Sequence, residues 1–119
     1  MKANNLGDYY CYNHIYDKAI LWYTKAANKE NKFAQNSLGN CYYFGNGVDQ
    51  NYAEAMKWYQ KAAEQNNAEA QYALGNCFYH GKGASVNYVE AANWIRRAAN
   101  QGLADAQFHM GICYSLGHG

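Results

Sequence analysis

Two pairs of metal-ligating side chains stand at helical spacing in this chain. Cys77 and His80 are at i, i+3, and His109 and Cys113 are at i, i+4. Each pair can share one helix face and offer zinc a mixed sulfur and nitrogen donor set. Against that reading, both cysteines fall on an apolar stripe that needs small core residues, and His80 abuts the helix-breaking Gly81. We therefore expect no metal site and no cofactor. Nucleophilic catalysis has little to work with. The hydroxyl side chains Ser37, Ser85, Ser115 and Thr24 occur in neither a Ser-x-x-Lys nor a Gly-x-Ser-x-Gly pattern. Gly45-Asn46-Gly47 and Gly81-Lys82-Gly83 are too short for a phosphate-binding loop and follow no strand. No catalytic residue can be assigned, and the expectation is that the chain is not an enzyme.

The 119 residues suffice for one domain, and 50% of them are apolar, ample for a core. A formal charge of +1 gives no basic excess for nucleic acid or an anionic membrane. No apolar run approaches the length of a membrane span, so no membrane insertion is expected. Met1 to Tyr10 has no apolar stretch of the kind a secretory signal carries, which points to a cytoplasmic location. The composition is unusual in its 13 Tyr, 15 Asn and absence of Pro.

The elements that carry these residues follow from an internal repeat. A shift of 36 places Ala34-Gln35 on Ala70-Gln71 and then on Ala106-Gln107. Leu38-Gly39-Asn40-Cys41 falls on Leu74-Gly75-Asn76-Cys77 and on Met110-Gly111-Ile112-Cys113. Between 34–69 and 70–105, 18 of 36 positions are identical, which identifies a repeat architecture. Within one unit, Ala34, Leu38, Cys41 and Tyr42 form an apolar helical stripe that Gly45-Asn46-Gly47 ends. A second helix opens at Asn51, with Glu54 three residues on in a capping-box-like arrangement that Asn87 and Glu90 repeat. It turns Ala55, Trp58, Tyr59, Ala62 and Ala63 inward and stops near Asn66 or Gly102. Mid-helix Gly39, Gly75 and Gly111 suggest close helix approach beside Trp22, Trp58 and Trp94. Each unit is thus an antiparallel helix pair that needs its neighbours to bury its apolar face.

The series Leu-Gly-x-x-Tyr/Phe, Gly-x-Gly, Ala-x-x-Trp-Tyr/Ile-x-Lys/Arg-Ala-Ala, Ala-x-Ala-Gln resembles the Sel-1-like repeat, a variant of the tetratricopeptide repeat. The first unit departs from it. Leu6-Gly7-x-x-Tyr10 precedes Leu38-Gly39 by 32, because the connection at Asn13-His14-Ile15 is four residues shorter, so this unit looks like an ordinary tetratricopeptide repeat. The resemblance implies an all-α, right-handed solenoid of stacked antiparallel helix pairs. Its repeats would run about 4–33, 34–69 and 70–105, with the first helix of an incomplete fourth at about 106–116.

The resemblance also implies that first helices line a concave groove. On that geometry the partner-binding residues are Asn4, Asp8 and Cys11 from repeat one; Asn36, Asn40 and Tyr43 from repeat two; and Tyr72, Asn76 and Tyr79 from repeat three. Phe108, Ile112 and Ser115 follow from the last helix. Taken from these boundaries, the first helices hold no Lys or Arg, since every basic residue from Lys18 onward lies in a second helix or a loop. A clamp for a peptide carboxylate is therefore disfavoured. Asparagine amides bond a peptide backbone as donor and acceptor, and tyrosines supply contact area at low entropy cost. The function expected is a non-enzymatic scaffold holding a largely uncharged protein or peptide segment. The alternative is a structural segment that self-assembles, as a homodimer or longer array, through an exposed apolar C-terminal helix without a dedicated ligand.

Cys41, Cys77 and Cys113 occupy one repeat position, so their Cα atoms should lie about 8–10 Å apart, one helix spacing, too far for a bridge. The paired cysteines with which some relatives staple neighbouring helices are missing. We expect reduced thiols, with Cys11, near the groove, the most reactive. Some relatives have been linked to β-lactam hydrolysis, but no residue pattern here extends that link.

Overall fold

The computed structural model describes the backbone of residues 3–116 and the side chains of residues 5–112. Among the described residues seven helices follow one another: α1 (Ala3–Tyr12), α2 (Tyr16–Ala27), α3 (Lys32–Phe44), α4 (Tyr52–Glu64), α5 (Ala68–His80), α6 (Tyr88–Asn100) and α7 (Ala104–Leu116). Each packs mainly on its neighbours in the chain, giving a helical-repeat solenoid of 44 × 27 × 23 Å.

Asparagines start four of these helices. Asn51 and Asn87 accept from the backbone N–H of Glu54 and Glu90, each at 3.0 Å, as the sequence suggests. Asn31 and Asn67 do the same for Ala34 and Ala70, which the sequence reading missed. Each bond satisfies an N–H that the first helical turn leaves unpaired. With these caps α3 and α5 begin at Lys32 and Ala68, two residues before the boundaries at 34 and 70, and α7, which follows Leu103, likewise begins at Ala104, before 106. Lys32 is then part of a first helix, which corrects the expectation that these helices carry no cation. Its amine turns to the Gln65 carbonyl at 3.3 Å, along the turn between repeats.

The buried clusters explain why a single helix pair has no core of its own. Ala19, Tyr23, Ala26 and Ala27 of α2 bury against Ala34, Leu38 and Cys41 of α3. The same arrangement recurs between α4 and α5, and between α6 and α7. Every cluster therefore joins the second helix of one repeat to the first helix of the next. Trp58 of α4 reaches back to the first cluster and Trp94 of α6 to the second.

The mid-helix glycines answer to a different residue than the tryptophans expected beside them. A Cβ on Gly7 or Gly39 would meet the ring of Tyr23 or Tyr59, at 2.7 Å in the second case, and one on Gly75 would meet Ile95. Gly111 has nothing within 4 Å. Gly47 and Gly83 are constrained as well, at φ of 79° and 87°, since a Cβ there would stand 2.7 Å from the Tyr16 and Tyr52 carbonyl oxygens one repeat earlier. Only a residue without Cβ combines that backbone angle with that contact.

Buried amides connect the repeats further. Gln35 donates to the Ala27 carbonyl at the end of α2 and accepts from Gln65 at the end of α4. Gln71 repeats both bonds with Ala63 and Gln101. Each of these wholly buried glutamines thereby ties three consecutive helices.

Candidate functional site

First helices α3 and α5 flank a cleft of about 240 Å³ lined by Asn40, Tyr43, Phe44, Tyr59, Tyr72, Ala73 and Asn76. Four of these, Asn40, Tyr43, Tyr72 and Asn76, are residues that the sequence assigned to a groove. They meet because a helix places i and i+4 on one face and the repeat copies that face from α3 to α5. Phe44, Tyr59 and Ala73 were not foreseen. Phe44 ends the run Cys41-Tyr42-Tyr43-Phe44, a visible signal, whereas Tyr59 enters from a second helix that sequence reasoning gave wholly to the core. Among the described residues no charged side chain lines the cleft.

The floor of the cleft is held by hydrogen bonds. The Tyr59 hydroxyl donates to Asn40 Oδ1 at 2.6 Å, and in repeat one the Tyr23 hydroxyl donates to Asp8 Oδ1 at 2.7 Å. Burial raises both phenols above their ordinary range, and for Tyr23 the Asp8 carboxylate adds to the effect. In repeat three Ile95 stands at the tyrosine position, so Asn76 lacks this tether. Tyr43 packs on Phe44, Tyr52 and Tyr59 with ring centroids 4.9–6.5 Å apart. Its phenol is also raised, by burial first and then by Cys77, against the opposing pull of Lys82.

The other expected groove residues are dispersed. Asp8 is engaged with Tyr23, and half-buried Cys11 packs against the α2–α3 cluster. Asn36 has its Oδ1 buried without a hydrogen-bond partner and does not reach the cleft. Tyr79 lies in a second aromatic group with His80, Tyr88 and His109 at centroid distances of 4.9–5.1 Å. Phe108 and Ile112 are exposed on α7. The side chains of Asn4 and Ser115 lie outside the described residues.

Cys41 and Cys77 are buried in successive clusters, and burial pushes their thiols up to about 12 and about 11. Deep burial leaves neither thiol poised as a nucleophile or metal ligand. Cys113, the fourth ligand of the metal set drawn from sequence, lies outside the described side chains. Among the described residues no three His, Cys, Asp or Glu side chains cluster as a metal site. No described helix is long and apolar enough to cross a membrane.

The Sel1 repeat profile matches residues 16–31, 32–67, 68–103 and 104–119. The chain belongs to the Sel1 repeat family. The match starts at Tyr16, so α1 lies outside it, in line with the shorter first repeat. A Sel1 repeat protein from Oxalobacter formigenes superposes with a TM-score of 0.93 at 37% identity, over 98% of this chain and 47% of that one. A protective antigen present in uropathogenic Escherichia coli strains, which displays an SLR fold, gives a TM-score of 0.84 at 40% identity, over 86% of this chain and 22% of that one. The chain thus spans about half the length of the first and less than a quarter of the second. No curated protein matches. Sel1 repeats generally mediate protein–protein interaction, and the family is typically a non-catalytic scaffold.

Proposed function

We propose that the chain is a binding module that holds a largely uncharged segment of a partner protein in the α3–α5 cleft. The observation that carries this reading is the meeting of Asn40, Tyr43, Tyr72 and Asn76 in one cleft that no charged side chain lines. Aromatic faces supply apolar contact, and the amides supply hydrogen bonds that fix a backbone. A charged ligand group would lose hydration there with no counterion in the lining to compensate, so the cleft favours neutral ligands. The test is a pull-down from native cell extract beside the Asn40→Lys, Asn76→Lys double variant. A protein recovered by the native chain and lost by the variant, at unchanged helicity, supports the module; identical recovery by both ends the proposal.

A second reading rests on a separate observation. Phe108 is 73% exposed and Ile112 41% exposed on α7, an apolar pair suited to contact with another copy. Light scattering at micromolar concentration, with Phe108→Glu as control, decides it. A native dimer that the substitution dissolves favours self-assembly, and a monomer throughout removes it.

A further inference from the structure

We infer that a second pocket, at the turn edge of the solenoid, takes one carboxylate group from an acidic residue of a partner protein. The pocket holds about 310 Å³ and is lined by Asn66, Gln71, Arg97, Asn100 and Gln101. None of these residues lines the α3–α5 cleft, so the inference stands apart from that reading.

The first argument is a cation left without a counterion. Arg97 is held over the Trp94 ring, 4.5 Å from its centroid, and its Nη2 donates to Asn66 Oδ1 at 3.5 Å. Among the described residues the one ion pair joins Lys57 and Glu54, so no carboxylate of the chain neutralises Arg97. A guanidinium positioned in this way keeps further N–H groups for a ligand, in a planar fork that matches a carboxylate.

The second argument is an internal comparison that the repeat supplies. A shift of 36 places Glu30, Gln35, Lys61, Glu64 and Gln65, in that order, on the residues that line the pocket. The frame is the same in both copies. Glu30 and Asn66 have φ of 64° and 65°, and Gln65 donates to Gln35 at 2.9 Å as Gln101 does to Gln71. The charges differ. Glu30 and Glu64 stand at positions in the Lys61 copy that Asn66 and Asn100 hold in the Arg97 copy. The cation is kept, as the arginine that suits a carboxylate better than lysine does, and both acids that would compete for it are replaced by neutral amides. Those amides add donors for an incoming oxygen.

The third argument is the size of the charge. An adjoining cavity of about 260 Å³ shares Asn66 and Gln101 and adds Lys32 and Glu69, whose charges cancel. Arg97 is thus the uncompensated charge of both cavities, and one carboxylate neutralises it. A phosphate, at about −1.5 to −2, would carry an excess. A protein is the expected source, because Sel1 repeats generally mediate protein–protein interaction.

The experiment follows the Gln101 side-chain amide resonance by NMR while the full chain is titrated with separate probes. These are capped tripeptides with a central glutamate or a central glutamine between alanines, acetate, and inorganic phosphate. The glutamate peptide is expected to bind at least fivefold more tightly than the glutamine peptide, and more tightly than acetate or phosphate. Arg97→Gln is expected to weaken it at least fivefold at unchanged helicity. So is the Asn66→Glu, Asn100→Glu double variant, which restores the acids of the preceding repeat and leaves Arg97 in place. No binding by any probe, equal affinity for the two peptides, or undiminished affinity in either variant overturns the pocket. Tighter binding of phosphate overturns the choice of carboxylate, and acetate as tight as the glutamate peptide overturns a protein as its source.

Discussion

The hydroxyl of Tyr59 lies 2.6 Å from Oδ1 of Asn40, tying a second helix to the cleft wall of the first. The bond fixes the Asn40 amide and orients its remaining donor. Tyr59→Phe keeps the ring and removes the bond, so it is expected to cost about 1 kcal/mol of stability. Urea denaturation reads that cost. An unchanged midpoint would mean that Asn40 is not held by the phenol.

The same ring makes Gly39 irreplaceable where Gly111 is not. A Cβ at Gly39 would sit 2.7 Å from Tyr59 Cδ1, whereas one at Gly111 meets nothing within 4 Å. Gly39→Ala is expected to destabilise by about 1–3 kcal/mol through overpacking. Gly111→Ala is expected to be neutral or to stabilise by up to about 1 kcal/mol through helix propensity. Thermal melts should place Gly39→Ala below the native chain and Gly111→Ala level with it or above.

Gln71 accepts from Gln101 at 2.9 Å and donates to the Ala63 carbonyl at 3.2 Å while wholly buried. Gln71→Leu fills the space and orphans both partners. The expected loss is about 1–3 kcal/mol, the cost of buried polar groups left unpaired. Gln107→Leu provides the contrast, since the Gln107 amide bonds Ala99 from an exposed position. Its denaturation midpoint should shift less than that of Gln71→Leu.

His109 packs edge-on between Tyr72 and Tyr79, with centroids at 5.8 and 4.9 Å. Burial, and secondarily His80, lower its pKa below the usual 6.5. The folded state therefore favours the neutral ring. Above pH 6.5 neither state is protonated, and as the pH falls below it the unfolded chain takes up the proton first, so stability declines down to the lowered folded value. The native chain is expected to lose more Tm between pH 7.5 and 5.5 than His109→Phe, which keeps a ring between the tyrosines. Equal losses would remove His109 as the cause.

Half-buried Cys11 should be alkylated before Cys41 and Cys77, whose thiols stand at about 12 and about 11. At pH 8 almost none of either buried thiol is thiolate, the reactive form. Mass spectrometry of the native chain after brief iodoacetamide treatment should find the label on Cys11 with Cys41 and Cys77 unmodified. Equal labelling of all three would show that the clusters open readily.

Much of this arrangement can be read without coordinates because the repeat multiplies weak signals. A single Asn followed by Glu three residues later says little, but Asn51–Glu54 and Asn87–Glu90 at one spacing mark two helix starts. Asn31 and Asn67 escaped notice because no acidic residue stands three positions on and only the N–H of Ala34 or Ala70 reveals the cap. Asn36 and Asn40 looked equivalent on a helical wheel. They differ because Tyr59 reaches Asn40 while the Asn36 carbonyl is enclosed without a partner. Sequence spacing gives the face of a helix and leaves open what packs against it.

Composition and periodicity by themselves determined the helix pairs and their stacking, since these follow from local backbone preference and from which stripe must leave water. Tertiary structure alone decided that the glycines serve Tyr23, Tyr59 and Ile95 in place of tryptophans, and that Gln35 and Gln71 each bind three helices. It also decided that the cleft draws on α3, α5 and Tyr59 of α4, and not on α1 or α7. Those outcomes depend on which side chain of a neighbouring repeat arrives at a given point, at distances of a few ångströms. A pattern that repeats every 36 residues along the chain does not contain that information.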